Sequence, residues 1–97
     1  MEIIHTEQAP AAIGPYSQGY IMGGIVYTSG QIPVDPKTGA VPEGIAAQAE
    51  QSCKNVAALL EAAGTKLENV FKTTCFLRDM ADFAAFNAVY AKYFVSK

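Results

Sequence analysis

Two adjacent glycines, Gly23 and Gly24, constrain this chain more than any other feature. They separate two runs that read as strands, residues 17–22 and 25–29. A two-residue hairpin turn favours positive φ at both central positions, which glycine adopts without steric cost. The loop length then sets the register, with Met22 opposite Ile25, Tyr20 opposite Tyr27 and Gln18 opposite Ser29. Side chains alternate along a strand, so Gln18, Tyr20, Tyr27 and Ser29 share one face. Ile21, Val26 and Thr28 share the other. The face with two tyrosines and Ser29 is amphipathic. It suits a ligand, another subunit, or simply the outer side of a sheet.

The hairpin exits through Thr28-Ser29-Gly30-Gln31-Ile32-Pro33. Gly30 permits a bend or a close approach that a β-carbon would block. Pro33 removes a backbone donor and ends regular pairing. A strand that breaks just after a hydroxyl and a glycine leaves amides beside a side-chain donor. That arrangement can cradle a small carboxylate or a polarised carbonyl. Ordinary turn chemistry at a strand exit gives the same pattern.

The remaining segments fit one domain of 97 residues. Residues 2–5 read as a first strand, and His5 at its end is given no role. Residues 9–15 are a proline- and glycine-containing connector. Tyr16 follows Pro15 and is expected to lean over a neighbouring surface. Residues 33–44 form a loop with at least one tight turn. Residues 45–63 have helical periodicity, with Ile45, Ala49, Cys53, Val56, Leu60 and Ala63 on one face and Gly64 as the stop. Residues 70–77 alternate like a strand, with Phe71, Thr73, Cys75 and Leu77 on one side. A second helix starts near Asp82, with Asp79 or Asp82 as cap, and runs to Val95-Ser96-Lys97. Its apolar stripe is Phe83, Phe86, Tyr90 and Phe94, and Asn87 borders it. The order predicts an α+β fold, with two helices packed on one face of a mixed sheet.

Charge and composition exclude several function classes. The formal net charge is −2 and no run of Lys or Arg occurs, which argues against duplex nucleic acid as a partner. Cys53 and Cys75 lack metal-ligand spacing and there is one histidine, so no metal is expected. The two cysteines read as reduced, buried thiols, although a disulfide between them stays open. No basic-plus-apolar leader and no stretch of membrane-spanning length occurs, so the expected location is cytoplasmic, with no membrane partner.

Three stretches together carry a resemblance. Ala9-Pro10-Ala11-Ala12-Ile13-Gly14-Pro15-Tyr16, Thr28-Ser29-Gly30-Gln31-Ile32-Pro33, and Lys72-Thr73-Thr74-Cys75-Phe76-Leu77 through Asp82-Phe83 and Asn87-Ala88-Val89-Tyr90 resemble the RidA (YjgF/YER057c/UK114) family. The resemblance implies a chorismate-mutase-like fold and a homotrimer with clefts between subunits. It implies hydrolysis of reactive enamines or imines, such as 2-aminoacrylate, to 2-keto acids and ammonia, with no cofactor. Tyr16 matches the tyrosine that walls the cleft. Ser29 and the backbone at Gly30 match polar contacts to substrate. Asn87 matches the cleft asparagine, and Phe86 lines the same cleft.

The family pattern continues into a Pro-x-Arg-Ser motif and a strand bearing a glutamate. The resemblance assigns that arginine to the substrate carboxylate and the glutamate to a water. Both positions of the pattern fall beyond Lys97, so neither has a counterpart in residues 1–97. The expectation is a single domain truncated at its C-terminus, lacking the last strands and leaving an exposed sheet edge. A non-catalytic sensor or interaction module that binds small keto acids is the alternative from another class. RNA cleavage, also attached to this family, fits poorly with the acidic balance.

Overall fold

The glycine pair turns the chain as its φ freedom allows. In the computed structural model, which describes residues 1–94, Gly23 and Gly24 have φ of 60° and 77°. They close an antiparallel sheet of three short strands, β1 (Glu2–Ile4), β2 (Gly19–Met22) and β3 (Ile25–Thr28), in the order β1-β2-β3. Met22 pairs with Ile25 and Tyr20 with Tyr27. The Ser29 amide extends the pairing by donating to the Gln18 carbonyl at 2.9 Å. Both ladders are antiparallel, so the sheet among the described residues is not mixed.

Helix α1 (Ile45–Ala62) packs on the Ile21–Val26 side of the sheet. Ile4, Ala9 and Leu59 form the core there, with Ile21, Val26, Ala58 and Ala63 against it. Leu59 is fully buried, and burying a leucine contributes roughly 1.5–3 kcal/mol. Gly64 ends the helix with φ 85°, while the Thr65 amide returns to the Leu60 carbonyl at 2.9 Å. Ala49, Cys53 and Leu60 of the expected stripe are buried. The fully buried Asn55 and Leu59 lie off that stripe.

Helix α2 (Phe83–Tyr93) packs against α1, and the Tyr93 hydroxyl donates to Glu50 Oε1 at 2.9 Å. Asp79 starts the approach to it, accepting from the Ala81 amide at 2.9 Å. Asp82 stands at the N-cap without a side-chain bond. The rings of Phe86, Tyr90 and Phe94 follow in a row, the first pair tilted with centroids 5.5 Å apart and the second stacked at 4.5 Å. The helix nevertheless has no buried residue, and Phe83 is half exposed. The expected continuation of this helix through Val95 and Ser96 to Lys97 lies outside the described residues.

Two further expectations are corrected. Residues 70–77 form no strand, because among the described residues no neighbouring strand pairs with them. A strand exists only where a partner takes its amides and carbonyls, so alternation alone does not make one. Phe71 and Phe76 are 78% and 92% exposed as a result. Cys75 is exposed for the same reason, so only Cys53 is a buried thiol.

Candidate functional site

A cleft of about 550 Å³ opens on the sheet face opposite α1. Its walls include Met1, Ile3, Tyr16, Tyr20, Tyr27 and Ser29. The hairpin register puts Tyr20 directly across from Tyr27, and their rings stack with centroids 5.3 Å apart. Gly19 lies at the base, where a β-carbon would come within 2.7 Å of the Tyr27 carbonyl oxygen. That close approach needs a glycine.

Tyr16 and Ser29 reach the cleft by different routes. Pro15 delivers Tyr16 from the connector. Its amide donates to the Gly14 carbonyl at 2.8 Å and its hydroxyl accepts from the Ile13 amide at 3.4 Å. The ring therefore curls back over its own connector and stays half exposed. Ser29 sits one residue beyond β3. Its hydroxyl donates to the Gln18 carbonyl at 3.0 Å, and Gln31 Nε2 donates to that hydroxyl oxygen at 3.3 Å. The hydroxyl proton is thus committed to the protein, and the oxygen keeps acceptor capacity.

Gly30 is beside Ser29, but not for the steric reason expected. Its φ is not positive, and a β-carbon there would meet nothing within 4 Å. The glycine that a close approach requires is Gly19. The Gly30 amide makes no hydrogen bond among the described residues, whereas the Ser29 amide is taken by Gln18. The Gln31 and Ile32 amides are likewise without a hydrogen bond among the described residues, and Gly30 itself does not line the cleft. Phe86 and Asn87 stand on α2 and do not line this cleft. Asn87 is exposed, and Phe86 is half-buried against Tyr90.

Two amides that sequence reasoning passed over hold the site's frame. Gln18, expected on the open tyrosine face, is instead buried under the connector. Its carboxamide bonds to the backbone of Thr6, Ala9 and Pro10. Asn55 is fully buried on α1, and its Nδ2 donates to the carbonyls of Ile32 and Val34 at 3.0 Å each. Gln51 donates to its oxygen at 2.9 Å. Gln51 and Asn55 lie one turn apart on the same helix face, and buried amides need partners, but nothing local names Ile32 and Val34 as theirs.

The perturbed ionisable groups lie elsewhere. Burial, then the nearby Cys75 and Glu50, pushes the Cys53 thiol up from 9.0 to about 11. Burial and the hydrogen bond to Glu50 raise Tyr93 above the usual phenol range. Neither residue lines the cleft. Among the described residues, no three His, Cys, Asp or Glu side chains group as metal ligands. No helix among them is long and apolar enough to cross a membrane. The cleft can therefore offer phenol and hydroxyl groups on an apolar floor.

Comparison with known proteins gives concordant matches. The family profile described as Endoribonuclease L-PSP matches residues 6–97. A 2-iminobutanoate/2-iminopropanoate deaminase of Salmonella typhimurium is 60% identical over 91 residues, covering 94% of this chain and 71% of the relative. The protein of the same name from Escherichia coli K12 is 58% identical with the same coverage. The crystal structure of E. coli TdcF with bound serine superposes with a TM-score of 0.94 at 44% identity, covering 100% of this chain and 79% of that one. That of the E. coli YjgF gene product gives 0.93 at 51% identity, with the same coverage.

Proposed function

The chain belongs to the Endoribonuclease L-PSP family, which is the RidA/YjgF family of the resemblance, and from that membership we propose that it hydrolyses reactive enamines and imines of 2-amino acids. The products are 2-keto acids and ammonia. The observation that carries this reading is the 60% identity to an imine deaminase across 94% of the chain. That Tyr16 and Ser29 line one cleft supports it.

The chemistry balances without a covalent nucleophile. 2-Aminoacrylate gains a proton on its methylene carbon and loses one from nitrogen, giving 2-iminopropanoate. Water adds its oxygen to the imine carbon, and the nitrogen takes a proton, giving a carbinolamine. The C–N bond then breaks, ammonia leaves, and the hydroxyl proton is lost as the carbonyl of pyruvate forms. The protein has to hold the carboxylate and orient the imine carbon toward one water. The free Gly30 amide, beside the cleft-lining Ser29, donates toward the carboxylate. Ser29 Oγ, whose proton is held by Gln18, accepts from the substrate nitrogen or from water. Tyr16 closes the apolar wall. Ser29 is not acylated, because its hydroxyl's partners among the described residues, the Gln18 carbonyl and Gln31 Nε2, are not bases.

The working form is a homotrimer in the cytoplasm, with each cleft at a subunit boundary. Phe86 and Asn87, which do not line the cleft of their own chain, then contribute across that boundary. The test uses the complete polypeptide carrying this sequence, mixed with a pyridoxal-phosphate-dependent serine dehydratase. Keto-acid release should run faster than in buffer, and light scattering should give three copies. A confirmed trimer with no acceleration sinks the deaminase reading. If calorimetry then shows 2-ketobutyrate binding, the sensor reading replaces it.

A further inference from the structure

We infer that Gln18 is a positioning residue whose side chain sets the separation of Tyr16 and Ser29, and so the fit of the cleft to a small carboxylate substrate. This rests on the proposed deaminase reading. Gln18 is 3% exposed, yet every polar atom of its side chain is used. Oε1 accepts from the Thr6 amide at 2.8 Å. Nε2 donates to the carbonyls of Thr6, Ala9 and Pro10 at 3.0, 3.2 and 2.8 Å. An NH₂ group has two hydrogens, so three acceptors share two donors while Oε1 accepts beside them, a combination that suits a primary amide. The carboxamide thus gathers the connector's backbone around one point.

The backbone of the same residue faces the other way. Its carbonyl oxygen accepts both the Ser29 amide at 2.9 Å and the Ser29 hydroxyl at 3.0 Å. Tyr16 lies two residues before it in the connector's final turn. One residue therefore ties the segment leading to Tyr16 and the serine across the cleft to a common origin. Core packing alone would call for an apolar residue at this position. A gathered set of backbone carbonyls calls for a donor of this length.

Two substitutions separate positioning from stability. Gln18→Glu keeps the shape but turns a donor toward three carbonyls into an acceptor. Gln18→Met keeps the length and removes the polar atoms. Leu60→Val, in the core and outside the cleft, is the stability control. In the complete polypeptide, kcat/KM for imine hydrolysis should fall roughly 10- to 100-fold in the Gln18 variants, with KM rising. Leu60→Val should leave it within about twofold even where its Tm drops as far. Amide signals of Tyr16 and Ser29 should shift, and Thr6 exchange should accelerate, in the Gln18 variants only. Unchanged kcat/KM in folded Gln18→Met, or an equal loss in Leu60→Val, overturns the inference. Unfolding of both Gln18 variants with Leu60→Val folded also overturns it, reducing Gln18 to a stability residue. If the wild type releases no keto acid, the deaminase reading falls by itself. The amide signals then decide alone: movement at Tyr16 and Ser29 upholds the shared origin, and no movement rejects it.

Discussion

Leu59 and Leu60 on α1 and Phe83, Phe86 and Tyr90 on α2 are apolar residues of two amphipathic helices, yet they meet different surroundings. Both leucines are buried, Leu59 in the core between helix and sheet. On α2, Phe86 and Tyr90 meet along their own helix, and none of the three aromatic residues is buried. The contrast extends beyond the helices. Every buried residue among those described precedes Gly64. The first part holds a sheet face, a helix that fits it, and two buried amides that tie loops to both. The second part holds Phe71, Phe76 and Phe83 at the surface. An apolar pattern specifies a face that seeks cover; burial follows only where a second surface is present.

The sharpest way to break this contrast is a paired truncation. Leu59→Ala should cost about 3 kcal/mol, because a fully buried leucine leaves a cavity. Phe83→Ala, from a half-exposed position, should cost no more than about 0.5 kcal/mol in the isolated 97-residue chain. Urea unfolding measures both, and equal costs would erase the distinction between the two parts.

Asn55→Ala comes next, at about 2 kcal/mol, since it strands the partly buried carbonyls of Ile32 and Val34. Amide exchange should quicken across residues 30–34 and stay unchanged in α2. Uniform quickening would show that the amide is not a local tie.

Cys53 sharpens the contrast through pH. Its folded-state pKa is raised to about 11, above the 9.0 ordinary for a thiol. The unfolded chain therefore loses this proton first. The contribution is fully present below pH 9 and is lost as pH rises through about 11, on the order of 2–3 kcal/mol in all. The Tm difference between wild type and Cys53→Ala should shrink over that window. A constant difference refutes the burial effect. Iodoacetamide should label Cys75 well before Cys53.

The smallest effect lies in the turn. Gly24→Ala should cost about 1 kcal/mol, because a β-carbon is strained at φ 77° even though no neighbour obstructs it. A neutral result would mean that the turn relaxes to another type.

Legibility followed the range of the interactions. The hairpin, its register, α1 and its glycine stop are set by residues within a few positions of one another, and they read directly. The helical start at Asp79 was one of two readings that local chemistry allowed. Residues 70–77 misled because alternation describes a strand's faces, not its neighbours. Gly30 misled similarly: its motif is visible, but the close approach belongs to Gly19, whose neighbour is the Tyr27 carbonyl on the next strand. Tyr16 and Ser29 were identified by family resemblance, and the fold brings them to one cleft.

What the sequence determined by itself is backbone direction: where φ turns positive, where a helix must stop, and which side chains share a face. These follow from sterics within a residue or a turn. What tertiary structure decided is company. It buried Gln18 and Asn55 and left Asn87 in solvent, although all three are amides of similar chemistry. An amide's burial depends on carbonyls supplied by chain that is distant in sequence, such as Ile32 and Val34 for Asn55. No local pattern around the amide encodes their arrival.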